Sequence, residues 1–215
     1  MKRIFENLRK KYVRWKRYIK FAAEYFLFEK PRGLDFTMRD KRLLRKSNGL
    51  YHGYSKTNEK HLKKIFELLS YDECHCLLDV GCGKGVVLRE AVKYPFRKIA
   101  GIELLPDICK IAKHNFKVLK LENKVTCMQA DAAEFEHYGE YDVFFFFNPF
   151  SGKILSKVVD KILESRKDSA PITIIYHNPE YFSVFQEKGE CRILHRLYDS
   201  LKEYETYIFQ MTPGK

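Results

Sequence analysis

Residues 77–88 read LLDVGCGKGVVL, and their order decides the fold. Leu77, Leu78, Asp79 and Val80 make a short buried-strand pattern, and Gly81, Gly83 and Gly85 follow at alternate positions. Val86, Val87 and Leu88 then open a helical apolar pattern. Strand, glycine turn and helix is the order of a nucleotide-binding crossover in an open α/β sheet. Glycine is needed there because the turn is tight and a ligand must approach the main chain without a Cβ in the way. The helix start offers unpaired N–H groups and the positive end of its dipole. A dinucleotide fingerprint would read G-x-G-x-x-G, but here the third glycine comes one residue early and position 86 is Val. Asp79 beside the turn would repel a pyrophosphate and suits a ligand bearing an ammonium group.

Working outward, residues 97–103 (RKIAGIE) read as a second strand ending in Glu103, 22 positions after Gly81. The second parallel strand ends beside the first, so a carboxylate at this distance can accept hydrogen bonds from two vicinal ribose hydroxyls. Pro106 suits the first turn of the next helix. A third strand, residues 125–130, is followed by Asp131 and Ala132. Residues 141–150 (YDVFFFFNPF) read as a central strand buried on both faces that ends in Asn148-Pro149-Phe150. Residues 154–163 have helical spacing, and residues 171–176 give a fifth strand that runs into His177. His177 is open to two readings, a substrate contact at a strand end or a solvated loop residue. Residues 191–198 and 204–211 read as two further strands joined by a polar turn.

The acid-x-G-x-G-x-G loop, with Glu103 and Asp131 following in order, resembles the class I S-adenosylmethionine-dependent methyltransferases, in their small bacterial-type form. The resemblance covers roughly residues 55–210. It implies an α/β, Rossmann-like, seven-stranded, mostly parallel sheet with a terminal antiparallel hairpin. It implies S-adenosyl-L-methionine as cofactor, bound by Asp79, Gly81, Gly83 and Glu103. Asp131 would accept from the adenine amino group, and Ala132 would add its N–H. Tyr54 and Thr57, with Tyr51, resemble the segment that closes over the cofactor ahead of the first strand. Asn148, Pro149 and Phe150 are similar to the Asn/Asp-Pro-Pro-aromatic sequence of amine methyltransferases, without its second proline. There the Asn side-chain carbonyl and the proline carbonyl accept from an amino nitrogen and the ring packs on its plane. The implied acceptor is a nitrogen of an RNA base, a protein lysine or a small amine. Two other classes stay open: a non-catalytic adaptor on this fold, binding nucleic acid or a membrane surface, and a nicotinamide-linked oxidoreductase. The early third glycine and the terminal hairpin argue against the latter.

The charge is uneven. Residues 1–70 hold 20 Lys+Arg against 7 Asp+Glu, and residues 71–215 hold 20 against 21. The whole surplus therefore precedes the glycine loop. This divides the chain into a basic helical extension, residues 1–54, and a cofactor-binding domain, residues 55–215. Ile4, Leu8, Tyr12, Trp15, Ile19, Ala22 and Phe26 recur at helical spacing, with lysines and arginines between them, up to Pro31-Arg32-Gly33. Such a helix can pack its stripe on the domain, lie on an anionic membrane, or hold the phosphates of RNA. The apolar run 21–28 is too short to span a bilayer, and no cleavable signal pattern precedes it. Arg39, Lys41, Arg42, Arg45 and Lys46 form a second basic cluster, broken at Ser47-Asn48-Gly49. The six cysteines include no C-x-x-C pair, and Cys74-His75-Cys76 lacks the spacing of a zinc site, so a reduced, cytoplasmic protein without metal is expected. A peripheral place at the membrane would follow from the second reading of the helix. No residue pattern names the methyl acceptor or an oligomeric state.

Overall fold

A computed structural model describes residues 2–38, 51–69, 75–166 and 170–213. Each long apolar run of the sequence becomes a strand or a helix face. The strands are β1 (Cys76–Val80), β2 (Lys98–Glu103), β3 (Thr126–Gln129), β4 (Val143–Phe147), β5 (Ile172–His177), β6 (Gly189–Asp199) and β7 (Tyr204–Pro213). They form one seven-stranded sheet in the order β3-β2-β1-β4-β5-β7-β6. The first five are parallel, and β7 runs antiparallel to both β5 and β6. This is the Rossmann-like sheet with a terminal hairpin that the sequence led us to expect. The chain builds outward from β1 to β2 and β3 on one side, and through β4 and β5 on the other. Ligands bind outside the carboxyl ends of the strands at such a reversal. Val80 pairs in register with both Ile102 and Phe146, which brings those ends level.

The helices are α1 (Lys2–Glu24), α2 (Glu59–Leu68), α3 (Val86–Ala91), α4 (Pro106–Val118), α5 (Gly152–Glu164) and α6 (Ser183–Gln186). Asn58 caps α2 by accepting the Lys60 N–H at 3.3 Å. Alternate strand residues feed two core layers. Leu78, Ile102, Phe144, Phe146 and Ile174 pack with Leu155, Val158 and Ile162 of α5. Leu77, Ile99, Phe145 and Ile175 pack with Leu62, Phe66, Leu88 and Phe116 of α2, α3 and α4. The four consecutive phenylalanines of β4 are thus explained: a strand covered on both faces needs an apolar side chain at every position.

Leu34 and Phe36 belong to the second layer, so the chain ahead of α2 is packed into the sheet's own core. Polar groups hold it there. Glu29 accepts the N–H groups of Phe36 and Thr37 at 2.9 Å each and the Thr37 hydroxyl at 2.5 Å. The buried Lys56 ammonium meets Glu24, Glu29 at 3.1 Å and Glu59 at 2.6 Å. Burial pulls the Lys56 pKa down, but Glu59, Glu24 and Glu29 together hold it above the usual lysine value. Lys84, inside the glycine loop, pairs with Asp35 at 2.6 Å. Removing Lys56 would leave the buried Glu29 carboxylate without its countercharge, a loss of roughly 3–5 kcal/mol.

Two expectations change. Among the described side chains of α1 the stripe is not packed on the domain: Leu8, Tyr12, Trp15 and Ile19 are exposed, as is Phe26 beyond them, and Phe21, which is buried, lies off the stripe. The helix is held at its C-terminal end, where Glu24 meets Lys56, and continues through a π-helical turn, Tyr25–Glu29, into a 3-10 turn, Lys30–Arg32. His177 is neither solvated nor in the cavity wall described below. It closes β5, fully buried, with its ring 4.4 Å from that of Phe147 and Nδ1 2.7 Å from the Thr206 hydroxyl. Burial, then His61 and Lys202, push its pKa well below the usual histidine value. The cluster Arg39, Lys41, Arg42, Arg45 and Lys46, its break at Ser47-Asn48-Gly49, and Cys74 lie outside the described residues. The five described cysteines form no disulfide among the described residues.

Candidate active site

A cavity of about 370 Å³ opens at the carboxyl ends of β1, β2, β4 and β5. The glycine loop forms its floor and is tied to β2, because the N–H groups of Gly81 and Cys82 both donate to the Ile102 carbonyl, at 3.0 and 2.9 Å. Gly81 and Gly83 have φ of +82° and +54°, which side chains rarely adopt. Space requires glycine too. A Cβ on Gly83 would lie 2.2 Å from the Tyr54 ring, and one on Gly81 would lie 2.8 Å from Pro149. The two glycines therefore let the segment before α2 and the corner after β4 close on the loop.

Asp79 is 2% exposed, and its Oδ2 has no hydrogen-bond partner among the described residues. Burial pushes its carboxyl well above the ordinary carboxylate range, and Cys127 and Glu103 add to the rise. A buried carboxyl left unpaired in a cavity wall is costly, and an ammonium group would supply both the missing hydrogen bond and the countercharge. Glu103 accepts the Gly83 N–H at 3.0 Å on one oxygen and the Leu105 N–H at 2.9 Å on the other. A carboxylate oxygen has two lone pairs, and such a pair of oxygens is suited to two vicinal hydroxyls. The cofactor implied by the sequence fits these groups: an amino-acid ammonium for Asp79, a ribose for Glu103, and glycine main chain between them.

Asp131 departs from the set. It is not among the cavity-lining residues, although Ala130 and Ala132 are. Its carboxylate accepts the Tyr51 hydroxyl, 3.2 Å from each oxygen, and the Ala133 N–H at 2.9 Å. Tyr54 and Thr57 line the cavity, and the Tyr54 hydroxyl donates to the Phe36 carbonyl.

The other wall is built at the ends of β4 and β5. Asn148 and Asn178 both turn with positive φ, +36° and +56°, and each precedes a proline. Asparagine tolerates that region better than most residues. The Asn148 side chain is buried between two partners. Its Nδ2 donates to Glu180 Oε2 at 2.9 Å, and its Oδ1 accepts the Tyr176 hydroxyl at 3.2 Å. With Nδ2 on the Glu180 carboxyl oxygen and Oδ1 on the Tyr176 hydroxyl, the amide has one orientation, and Oδ1 keeps a second lone pair. Phe150 is buried edge-on to Tyr51 and Phe146, with ring centroids 6.3 and 6.5 Å away. The Pro149 carbonyl already accepts the His52 N–H at 2.8 Å, which leaves it one lone pair. His52 Nδ1 donates to the Asn148 main-chain carbonyl at 2.6 Å.

One cavity thus gathers Tyr54, Thr57, Asp79, Gly81, Gly83, Glu103, Ala132, Asn148, Pro149 and Phe150, with Asp131 behind Tyr51. Sequence reasoning missed His52, Tyr176 and Glu180. The second Asn-Pro, at 178–179, repeats the first at 148–149 and was a signal that β5 ends like β4. His52 gave no such signal, because its role depends on the bridge between Tyr51 and Phe150.

A family model described as ribosomal RNA adenine dimethylase matches residues 51–187. No curated protein matches the chain at a significant level. Among solved structures, an RNA methyltransferase from Salinibacter ruber, in complex with S-adenosyl-L-homocysteine, superposes with a TM-score of 0.58 at 22% identity, over 74% of this chain and 94% of that one. An S-adenosylmethionine-dependent O-methyltransferase from Thermotoga maritima gives 0.55 at 18% identity, over 74% of this chain and 67% of that one. At these identities the two structures show the shared fold. The family match spans the glycine loop, Glu103 and the β4 corner together, which sets aside the oxidoreductase and adaptor readings. The chain belongs to the ribosomal RNA adenine dimethylase family, and it is a class I methyltransferase that uses S-adenosyl-L-methionine.

Proposed function

We propose that the chain methylates an amino nitrogen of an RNA base, adenine being the base that the family description names. The observation that carries this reading is the Asn148 amide, locked by Glu180 and Tyr176 beside the cavity that Asp79 and the glycine loop enclose. The cofactor supplies an electrophilic methyl group on a positively charged sulfur. Asp79 holds its ammonium and Glu103 its ribose. Asn148 Oδ1 accepts an N–H of the acceptor, which keeps electron density on that nitrogen and aims its lone pair. The remaining lone pair of the Pro149 carbonyl takes the second N–H. Phe150 and Tyr51 give the base apolar surface and exclude water. Orientation of this kind accounts for the larger part of the acceleration in a transfer that needs an in-line approach. A general base is not required, since the nitrogen sheds its proton to solvent after transfer.

The charge of the chain supports an RNA acceptor. The cluster 39–46 directly precedes the cavity segment in sequence, and cations so placed suit the phosphates flanking a target base. Labelled methyl transfer into cell extract tests the reading. Label in a nuclease-sensitive, protease-resistant fraction is the expected result. Label that protease removes would transfer the assignment to a protein lysine.

A further inference from the structure

We propose that α1 docks on an anionic lipid surface through the face that carries Leu8, Tyr12, Trp15 and Ile19, continued by Phe26. The first four recur at the three- and four-residue spacing of one helix face. Trp15 is 61% exposed, Tyr12 59%, Leu8 56% and Ile19 45%. Phe26, in the π-helical turn that follows, is exposed as well. Helix α5 shows what the same periodicity does when the domain covers it: Leu155, Val158, Val159 and Ile162 are buried. A contiguous apolar face of this kind on a folded protein marks an interaction surface.

Charge selects the occupant. Residues 2–24 carry nine lysines and arginines against two glutamates. Lys11, Lys16 and Lys20 are exposed along with the stripe. A second copy would bring the same excess positive charge face to face. RNA would satisfy the cations and could stack on the aromatic rings, but Leu8 and Ile19 offer nothing to a phosphate or a base. An anionic membrane satisfies both halves: the apolar side chains enter the acyl boundary, Trp15 and Tyr12 sit at headgroup level, and lysines reach the phosphates. No described helix is long and apolar enough to cross a bilayer, so α1 would lie in the surface plane. Its 23 residues extend about 35 Å. The arm is fixed to the enzyme, not loosely tethered. Phe21 is buried, with the Lys202 ammonium 4.9 Å from its ring, and Glu24 is paired to Lys56, the neighbour in sequence of the cavity residue Thr57.

Trp15 is the only tryptophan of the chain, so its emission reports on this face alone. The full chain is mixed with vesicles of phosphatidylcholine, or of phosphatidylcholine with phosphatidylglycerol. The expected result is a blue shift and protection from aqueous quencher with the anionic vesicles only, weakened by salt. Leu8→Ser with Ile19→Ser should lower vesicle partitioning about tenfold or more, the scale of one or two buried side chains. Lys11→Glu with Lys16→Glu and Lys20→Glu should abolish the preference for phosphatidylglycerol. Both variants should keep the cofactor affinity of the parent, which separates lost docking from lost folding. An emission unchanged by anionic vesicles at low salt overturns the proposal. So does a shift that appears on concentrating the protein without lipid, which assigns the face to a second copy. Protection of Trp15 by single-stranded RNA, undiminished by competing vesicles, overturns it in favour of nucleic acid.

Discussion

The ends of β1 and β2 and the ends of β4 and β5 border one cavity, yet they are finished in different ways. On the β1 side a carboxyl is left wanting: Asp79 Oδ2 is buried without a partner among the described residues, and its pKa is pushed up by burial. On the β4 side the key group is already held, with both side-chain atoms of Asn148 bonded to Glu180 and Tyr176. In the proposed reading the first wall is completed by a ligand, and the second is already completed by the protein. A cofactor that every turnover replaces can be held by groups that wait for it. An acceptor whose nitrogen must meet the methyl in line needs a group that does not move.

That contrast can be broken at four points. The largest expected effect is at Asn148. Asn148→Ala should lower the transfer rate about a hundredfold or more, the scale of a misplaced acceptor, while calorimetry finds cofactor affinity unchanged. A parallel loss of cofactor affinity would merge the two walls into one. Next is Glu103→Ala, which should weaken cofactor binding by about 1–3 kcal/mol through unpaired polar groups, with little change in the rate at saturating cofactor. An unaltered Kd would remove Glu103 from the binding set.

The third effect concerns pH. The folded, cofactor-free protein holds Asp79 with a pKa raised above its unfolded value. Its contribution to stability is therefore intact below the unfolded pKa and is lost as pH rises through the folded one. An ammonium ligand needs the ionised form, so binding releases a proton, and affinity should rise with pH by up to about tenfold per unit below the folded pKa. Asp79→Asn should flatten that slope, weaken cofactor binding and raise the Tm of the cofactor-free protein at neutral pH. A retained slope would place the titrating group elsewhere. The smallest effect is at Glu180. Glu180→Ala should lower kcat about tenfold, less than Asn148→Ala, because the amide loses one of its two anchors. Glu180→Gln should recover most of it, since the glutamine carbonyl still accepts from Nδ2. Equal loss in both would mean that the charge matters, not the hydrogen bond.

What the sequence disclosed follows the same division. That the glycine loop, Glu103 and the β4 corner meet at one cavity was readable, because their places are fixed by position along strand–turn–helix units, and such units are local. Glu180 and His52 were not, because each reaches Asn148 across the sheet edge, from 32 and 96 residues away. Position along the strands pointed to Asp131 as a cavity residue, but its bond to Tyr51, 80 residues off, and its place outside the cavity lining could not be read there. Periodicity grouped Leu8, Tyr12, Trp15 and Ile19 on one face of α1 correctly. It carries no information on what covers that face, whose side chains are exposed among the described residues.

The central claim is that the β4 wall presents a base nitrogen to the methyl group, and the nucleoside composition of the product tests it most directly. Purified protein, labelled cofactor and protein-free RNA are combined, and the RNA is digested to nucleosides for mass spectrometry. The account predicts the label on the exocyclic nitrogen of adenosine, absent with Asn148→Ala. Label on a ribose oxygen, or none in any nucleoside while a protein fraction accepts it, would contradict it.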